Sequence, residues 1–148
     1  MKWDLEERTE EAMAIYLRTV VLPDMRVFAS WEGEPTYPAA LVFAGGSRQA
    51  GDDASYNDNR IIELTVLVVT ESAEKNLLSA RDHNALHRST IMNALCVSDL
   101  KAHLIASGVA DIAFSGVLFA EDVLRRVEGR RFETEIGLTV YAEPVTGS

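Results

Sequence analysis

One run of residues, 60–70, constrains the fold more than any other part of this sequence. Every second position on one side of the run is a large aliphatic residue: Ile62, Leu64, Val66 and Val68. The positions between them begin polar with Glu63 and end apolar with Val69, so only one face is apolar throughout. This pattern predicts a central β-strand whose second face is partly covered by a helix or by a second subunit.

The remaining segments predict helices and strands in alternating groups. Residues 4–21 predict a helix that has Asp4 as its N-cap and is stopped by Pro23. Further helices are predicted at 79–95 and 98–107, and further strands at 26–30, 37–44, 112–120, 123–127 and 131–142. Residues 45–59 have no periodicity and are rich in Gly, Asp, Asn and Ser, which predicts one long loop.

The order of these elements predicts the fold class. A helix, then strands, then helices, then strands indicates an α+β fold. We expect a mixed or antiparallel sheet of about four to six strands, with the N-terminal helix and one or two central helices packed on one face. The sequence contains no internal repeat and no interdomain linker. We therefore predict a single domain over residues 1–148, with the long loop at 45–59 and a C-terminal β-hairpin at 112–142.

Charge and composition exclude several classes of function. The chain has 23 acidic and 14 basic residues, a net charge of −9, and this field repels nucleic acid and acidic membrane surfaces. No run approaches the roughly 20 apolar residues of a membrane span. The acidic first residues do not match a secretory signal, so synthesis in the cytoplasm is expected. The lone Cys96 cannot form an intramolecular disulfide.

Two histidines on the second predicted helix are the best candidates for metal ligands. His83 and His87 stand four residues apart, a spacing that allows two imidazoles to bind one ion, and His103 is the candidate third ligand. The segment between them lacks the glutamate of a zinc-protease helix. The two histidines also fall within a stripe formed by Leu86, Thr90, Ala94 and Val97. The sequence therefore favours a hydrogen-bonded or interface histidine pair over a metal site.

Other motifs give little support to catalysis or cofactor binding. The acids of the predicted loop, Asp52, Asp53 and Asp58, do not have the spacing of a calcium-binding EF-hand, so a solvated loop is favoured. The sequence contains neither a Gly-Lys-Ser/Thr phosphate loop nor a Gly-x-Ser-x-Gly nucleophile elbow. We predict no catalytic residues, no resident metal and no cofactor.

Several segments in this order resemble a known family. They are Leu22 with Pro23, the Arg26-Val27-Phe28 and Tyr37-Pro38-Ala39-Ala40 segments, a Gly-rich stretch, the long strand Ile62-Glu63-Leu64-Thr65-Val66-Leu67-Val68-Val69, a helix with Leu86 and Ile91, and a closing strand between Gly129 and Pro144. This pattern resembles the tail-terminator, or tail-completion, proteins of long-tailed bacteriophages, and is similar to related neck proteins. The resemblance covers most of the chain but contains no diagnostic motif.

The resemblance implies a function in virion assembly. Tail terminators form a homo-oligomeric ring, usually of six subunits, that caps the polymerised tail tube and joins it to the head–neck complex. The partners implied are the tail-tube protein and head–neck connector proteins, and the location implied is the virion. DNA would pass through the lumen without specific binding, which is consistent with an acidic chain. No membrane partner is expected.

Loop length and charge suggest which residues contact the tube or neighbouring subunits. The arginines that flank Glu128 and Gly129 would place positive charge at a hairpin tip, where a solvated tip, a contact with an acidic neighbour and phosphate binding are the alternatives. The predicted contact residues are Arg48, Asp52, Asp53, Tyr56, Asp58, Arg125, Arg126, Arg130 and Arg131. Alternative functions are a head–tail connector or stopper, a small metal-dependent enzyme using His83 and His87, and a monomeric binding module.

Overall fold

The fold is α+β, as predicted. The computed structural model describes residues 5–29, 33–49, 60–72, 78–106 and 112–144. The elements in chain order are α1 (Leu5–Val20), β1 (Arg26–Ala29), β2 (Ala39–Gln49), β3 (Arg60–Glu71), α2 (Leu78–Leu95), α3 (Leu100–Ala106), β4 (Ile112–Glu128) and β5 (Arg131–Pro144). No helix in the described ranges is both long enough and apolar enough to cross a membrane.

The five strands form one mixed sheet, which confirms the predicted range of four to six strands. The strand order is β1-β2-β3-β5-β4; β1 runs parallel to β2, and the other neighbours are antiparallel. The run of residues 60–70, which belongs to β3, occupies the centre of this sheet as predicted. It pairs with β5 along its whole length, from Arg60 opposite Ala142 to Glu71 opposite Arg131.

The hydrophobic core lies on one face of the sheet. The alternating aliphatic residues of β3 are at most 1% exposed, and Ile136, Leu138 and Val140 of β5 lie on the same face with equally little exposure. All three helices contribute side chains to this cluster, including Met13 and Leu17 of α1, Ile91 and Leu95 of α2, and Leu100 and Leu104 of α3. The prediction that the helices pack on one face is therefore confirmed.

The second face of the sheet is mixed. At one end, Leu67 and Val69 are buried, whereas Glu63 at the other end is exposed and accepts a hydrogen bond from the Thr139 hydroxyl (3.1 Å). Ile61, beyond Glu63 on the same face, is half-buried. From Glu63 onward the face therefore changes from polar to apolar along β3, as the sequence predicted.

The predicted loop 45–59 begins too early. β2 continues through residues 45–49, because a register shift between Ala44 and Gly46 accommodates the extra Gly45. Beyond that shift, β3 supplies pairing partners as far as Gln49 opposite Arg60. Tertiary pairing with a long central strand thus overrides the weak strand propensity of the Gly-rich segment. Residues 50–59 of the predicted loop lie outside the described residues.

Other element boundaries differ less from the predictions. The predicted strands 112–120 and 123–127 are one strand, β4, interrupted only by register shifts between Phe114 and Gly116 and between Ala120 and Val123. β4 and β5 form the predicted C-terminal hairpin, and Gly129 in its turn adopts a φ of +61°. α3 is shorter than the predicted 98–107. The predicted N-cap Asp4 lies outside the described residues.

Candidate metal centre

Asp24 lies in the short connection between α1 and β1, and several contacts hold this connection in place. Met25, the next residue, is 5% exposed, and its amide donates a hydrogen bond to the Leu22 carbonyl (3.0 Å). The Arg18 guanidinium reaches across from α1 and donates two hydrogen bonds to the Val27 carbonyl (3.2 and 3.0 Å). The Leu22–Met25 turn and the contacts between Arg18 of α1 and Val27 of β1 therefore hold the connection in place.

α2 supplies the two histidines opposite this carboxylate. His83 and His87 are four residues apart, so their side chains extend from the same side of the helix. His83 Nε2 lies 2.8 Å from Asp24 Oδ2, and His87 Nε2 lies 3.3 Å from the same oxygen. The two Nε2 atoms are 2.9 Å apart, and the rings are tilted by 53°. Three electron-pair donors therefore converge on one small volume.

The cluster is buried at one end and open at the other. The His87 side chain is 1% exposed, whereas those of His83 and Asp24 are 36% and 52% exposed. Water and small ions can thus reach the Asp24 side of the cluster. The opposite side is the protein interior, where His87 packs among the buried residues of α2.

Burial and the neighbouring charges shift the pKa of two of these groups. Burial is the main cause that lowers the pKa of His87; His83 adds to this effect, and the Asp24 carboxylate opposes it. Desolvation pushes the pKa of Asp24 upward, but the hydrogen bond with His83 and the interactions with His87 together hold it below its ordinary value. At neutral pH the cluster therefore has an ionised carboxylate beside a neutral, buried imidazole.

Hydrogen bonding leaves this cluster incompletely satisfied. Among the described residues, His87 Nδ1 is buried and has no hydrogen-bond partner. A neutral imidazole has one N–H, so the three short contacts among two Nε2 atoms and one carboxylate oxygen cannot all be hydrogen bonds at once. Buried polar groups without partners are rare in folded proteins, so the His87 ring is an exception within this core.

A second polar cluster lies next to this one and is fully connected. The Asn84 amide group donates hydrogen bonds to the carbonyls of Val68 and Phe132, both at 2.9 Å. Its oxygen accepts a 2.6 Å hydrogen bond from the Thr134 hydroxyl. Both side chains are almost completely buried. This network joins α2 to β3 and β5 and so positions the helix that carries the histidines.

The structure corrects two details of the sequence interpretation of α2. His103 does not join the cluster; it stacks on Tyr16 (5.0 Å between ring centroids), and its Nε2 lies 3.2 Å from Asp99 Oδ2. The stripe of Leu86, Thr90, Ala94 and Val97 is also not the buried face of α2, because Leu86 is 55% and Val97 36% exposed and only Ala94 of the four is buried. The buried face of α2 consists of Ala80, Asn84, His87, Ile91, Ala94 and Leu95.

Sequence reasoning did not find Asp24. This residue is separated from the histidines by 59 and 63 positions, and no local motif marks it. Only the packing of α1 and α2 on the same face of the sheet brings it to them. The usable signal is weak: an acidic residue directly after Pro23, at the end of a helix predicted to pack beside α2.

The predicted subunit-contact residues fall in three regions. Arg48 pairs with Ile61 in the β2–β3 ladder, and Arg125 and Arg126 are paired in the β4–β5 ladder. Arg130 is exposed in the hairpin turn. Asp52, Asp53, Tyr56 and Asp58 lie outside the described residues.

Arg131 makes contacts within the chain. Its Nε donates a hydrogen bond to Glu71 Oε1 (3.0 Å), and its guanidinium carbon lies 4.6 Å from the centre of the Tyr37 ring. The Arg130 carbonyl also accepts a hydrogen bond from the Ser72 amide (2.9 Å). These contacts attach the hairpin turn to the end of β3.

Comparison with known proteins shows a similarity of fold. No family model matches the chain, and no curated protein matches it. Solved structures with a similar fold include the following one. It is a chain of the structure described as "Virion of native gene transfer agent (GTA) particle", with a TM-score of 0.54 and 14% sequence identity over 94% of each chain. At this identity the match establishes similarity of fold across nearly the whole length of both chains.

Proposed function

We propose that this chain is a structural component of a virion of the tailed-phage type. The observation that carries the proposal is the fold similarity to a chain of a gene transfer agent virion, which extends over 94% of both chains. A similarity that covers nearly all of two chains compares complete folds rather than a shared motif. The element order that resembles phage tail terminators supports the same conclusion from the sequence.

Within such a particle, we assign the chain the role of tail terminator. A ring of this chain, with six subunits, would cap the tail tube and present a surface to the head–neck connector proteins. The net charge of −9 suits a ring through which DNA slides, because an acidic lumen does not hold phosphates. The proposed role needs no catalytic residue and no membrane contact, and it places the mature protein in the virion.

The second face of the sheet is a candidate surface for contact between subunits. Leu41, Phe43, Ile61 and Tyr141 are half-buried there, whereas the core cluster and all three helices occupy the other face. Partly exposed apolar and aromatic residues beside polar ones are typical of protein–protein interfaces. A second copy of this chain is the occupant that a homo-oligomeric ring requires.

Deletion of the gene from the genome that encodes the particle tests the role. Without a terminator, tube growth has no stop, so electron microscopy should show tails of variable, excessive length beside tailless heads. Expression of the wild-type chain in trans should restore joined particles of uniform tail length. Normal particles in the deletion strain would contradict the proposal.

The same experiment tests the second candidate, a head–tail connector or stopper. A missing connector should leave tails of normal length that fail to join DNA-filled heads. Tail length therefore separates the two roles. The resemblance to neck proteins is the observation that keeps the connector as the alternative.

A further inference from the structure

We propose that Asp24, His83 and His87 bind one divalent transition-metal ion, and that Zn²⁺ is the ion they suit best. These residues are the metal-ligand cluster found within the described part of the chain, and their ligand atoms all lie within 4.8 Å of one another. The site is independent of the proposed role in tail assembly. It adds a metal-dependent contact to a chain whose sequence alone favoured a simple histidine pair.

The three ligand atoms lie near the separations needed around a single tetrahedral zinc ion, roughly 3.3–3.6 Å; the 3.3 Å separation fits, and the 2.8 and 2.9 Å separations need to widen by about 0.5 Å. Separations of 2.8, 2.9 and 3.3 Å define a triangle whose corners lie about 1.7 Å from its centre. Zinc bonds to histidine nitrogen and carboxylate oxygen are ~2.0–2.2 Å long. A point about 1 Å above the triangle is therefore at bonding distance from all three atoms. The three ligand atoms are thus close to the positions that a single ion requires.

The donor set selects the class of metal. Two imidazoles and one carboxylate suit zinc and the neighbouring transition metals, whereas magnesium and calcium prefer oxygen ligands. Both histidines present their Nε2 atoms and Asp24 presents a carboxylate oxygen to the same small volume. Zinc accepts this set in tetrahedral geometry with a water molecule as the fourth ligand. The 52% exposure of the Asp24 side chain leaves room for that water.

Metal binding would also resolve the crowding of the three donors. Without an ion, each neutral imidazole has at most one proton on Nε2, so the three contacts among the two Nε2 atoms and Asp24 Oδ2 cannot all be hydrogen bonds. With an ion, all three Nε2 and Oδ2 atoms donate to the same acceptor, and each histidine carries its proton on Nδ1, which for His87 is buried without a partner among the described residues. The ion would then connect the α1–β1 connection to α2, two segments 59 residues apart. Metal binding at such a site adds directly to folding stability.

The experiment is a zinc titration of the full-length chain after removal of metal with EDTA. Isothermal titration calorimetry with ZnCl₂ at pH 7.5 measures affinity and stoichiometry, and we expect one ion per chain. Cobalt(II) loading provides a second readout, because tetrahedral and octahedral cobalt differ in visible absorption. His83 and Asp24 are partly exposed, so His83→Ala and Asp24→Asn should fold; circular dichroism checks this directly.

Matched controls come from the chain itself. His103 and Asp99 also form a histidine–aspartate contact, at 3.2 Å, but they do not belong to a cluster of three ligands among the described residues. His103→Ala is therefore the control for His83→Ala. Asp82, the exposed neighbour of His83, supplies Asp82→Asn as the control for Asp24→Asn.

Two sets of results decide the proposal. We expect His83→Ala and Asp24→Asn each to weaken zinc binding by on the order of 100-fold or more. Loss of a residue that only hydrogen-bonds to a metal ligand costs about 10–100-fold, and loss of a ligand itself should cost at least as much. His103→Ala and Asp82→Asn should bind zinc as the wild type does. The proposal is overturned if the wild type binds no zinc, or if the two site variants bind it as tightly as the controls.

Discussion

Two polar clusters on the same helix, separated by less than one turn, are built in opposite ways. The Asn84 side chain donates two hydrogen bonds and accepts one, with partners on β3 and β5 at 2.6–2.9 Å. His87 is just as deeply buried, yet its Nδ1 has no partner among the described residues, and its Nε2 shares a crowded volume with two other donors. One cluster is closed and satisfied, and the other is incomplete.

This difference indicates that one cluster stabilises the fold and that the other can bind a ligand. A buried polar group with all its partners in the protein stabilises one arrangement of elements and has nothing left to bind. Donor atoms crowded at 2.8–3.3 Å that cannot all be hydrogen-bonded to one another are instead available to a cation between them. Asn84 thus holds α2 on the sheet, whereas His83 and His87 together with Asp24 remain available to an ion. Substitutions in the two clusters should therefore differ in their effects on stability and on zinc binding.

Substitution of Asn84 by alanine should cost the most. Asn84→Ala removes three buried hydrogen bonds. The carbonyls of Val68 and Phe132 and the Thr134 hydroxyl each lose Asn84 as a partner. We expect the free energy of unfolding in urea to fall by about 2–4 kcal/mol. Asn93→Ala is the control, because Asn93 is exposed on the same helix and its loss should change stability by less than about 0.5 kcal/mol. Equal effects in the two variants would mean that the Asn84 network contributes little.

Zinc should stabilise the wild type and the Asn84→Ala variant by similar amounts. At a free zinc concentration 100 times the dissociation constant, the free energy of unfolding should rise by about 2.7 kcal/mol in both proteins. The Asn84 network contains no metal ligand, so the two effects should be independent. His83→Ala should show no such rise. Loss of the zinc effect in Asn84→Ala, with a folded protein, would show instead that the two clusters act as one unit.

The metal-free protein should lose stability as the pH falls below about 6.5, the ordinary pKa of histidine. Burial lowers the pKa of folded His87, so the unfolded chain binds a proton there that the folded chain does not. Stability contributed by this residue is therefore present above pH 6.5 and is lost as the pH falls toward the folded pKa. Asp24 and His83 are the charged and titratable groups that face it.

The variant His87→Gln isolates this contribution, and its effect should be the smallest of the three. Urea unfolding of wild type and variant in EDTA, between pH 7.5 and 5, should give a shallower pH dependence for the variant. Parallel curves for the two proteins would show that His87 does not titrate differently on folding.

The alternation of β3 and of β5 predicted much of the fold. Alternation with one wholly apolar face predicts both the strand and the side that faces the core. As expected, alternate residues from Ile62 to Val68 and from Ile136 to Val140 face the core. The strand at 45–49 was not predictable in this way. Gly45 and Gly46 have low strand propensity, and only pairing with β3 makes this segment extended.

The candidate site was less predictable, for two physical reasons. The helical spacing identified His83 and His87, but the third ligand depends on long-range packing that local patterns do not encode. The stripe of Leu86, Thr90, Ala94 and Val97 followed helical spacing and did not identify the buried face. α2 instead buries polar Asn84, because its amide finds backbone carbonyls on the sheet.

The most direct test of the proposed function is the solution mass of the purified chain. Light scattering after size exclusion, across a range of protein and salt concentrations, should detect a discrete species near six times the 16.3 kDa chain, alone or after addition of tail-tube protein. That species is the ring that a tail terminator requires. A mass of one chain under every condition, including excess tube protein, would contradict the proposed role.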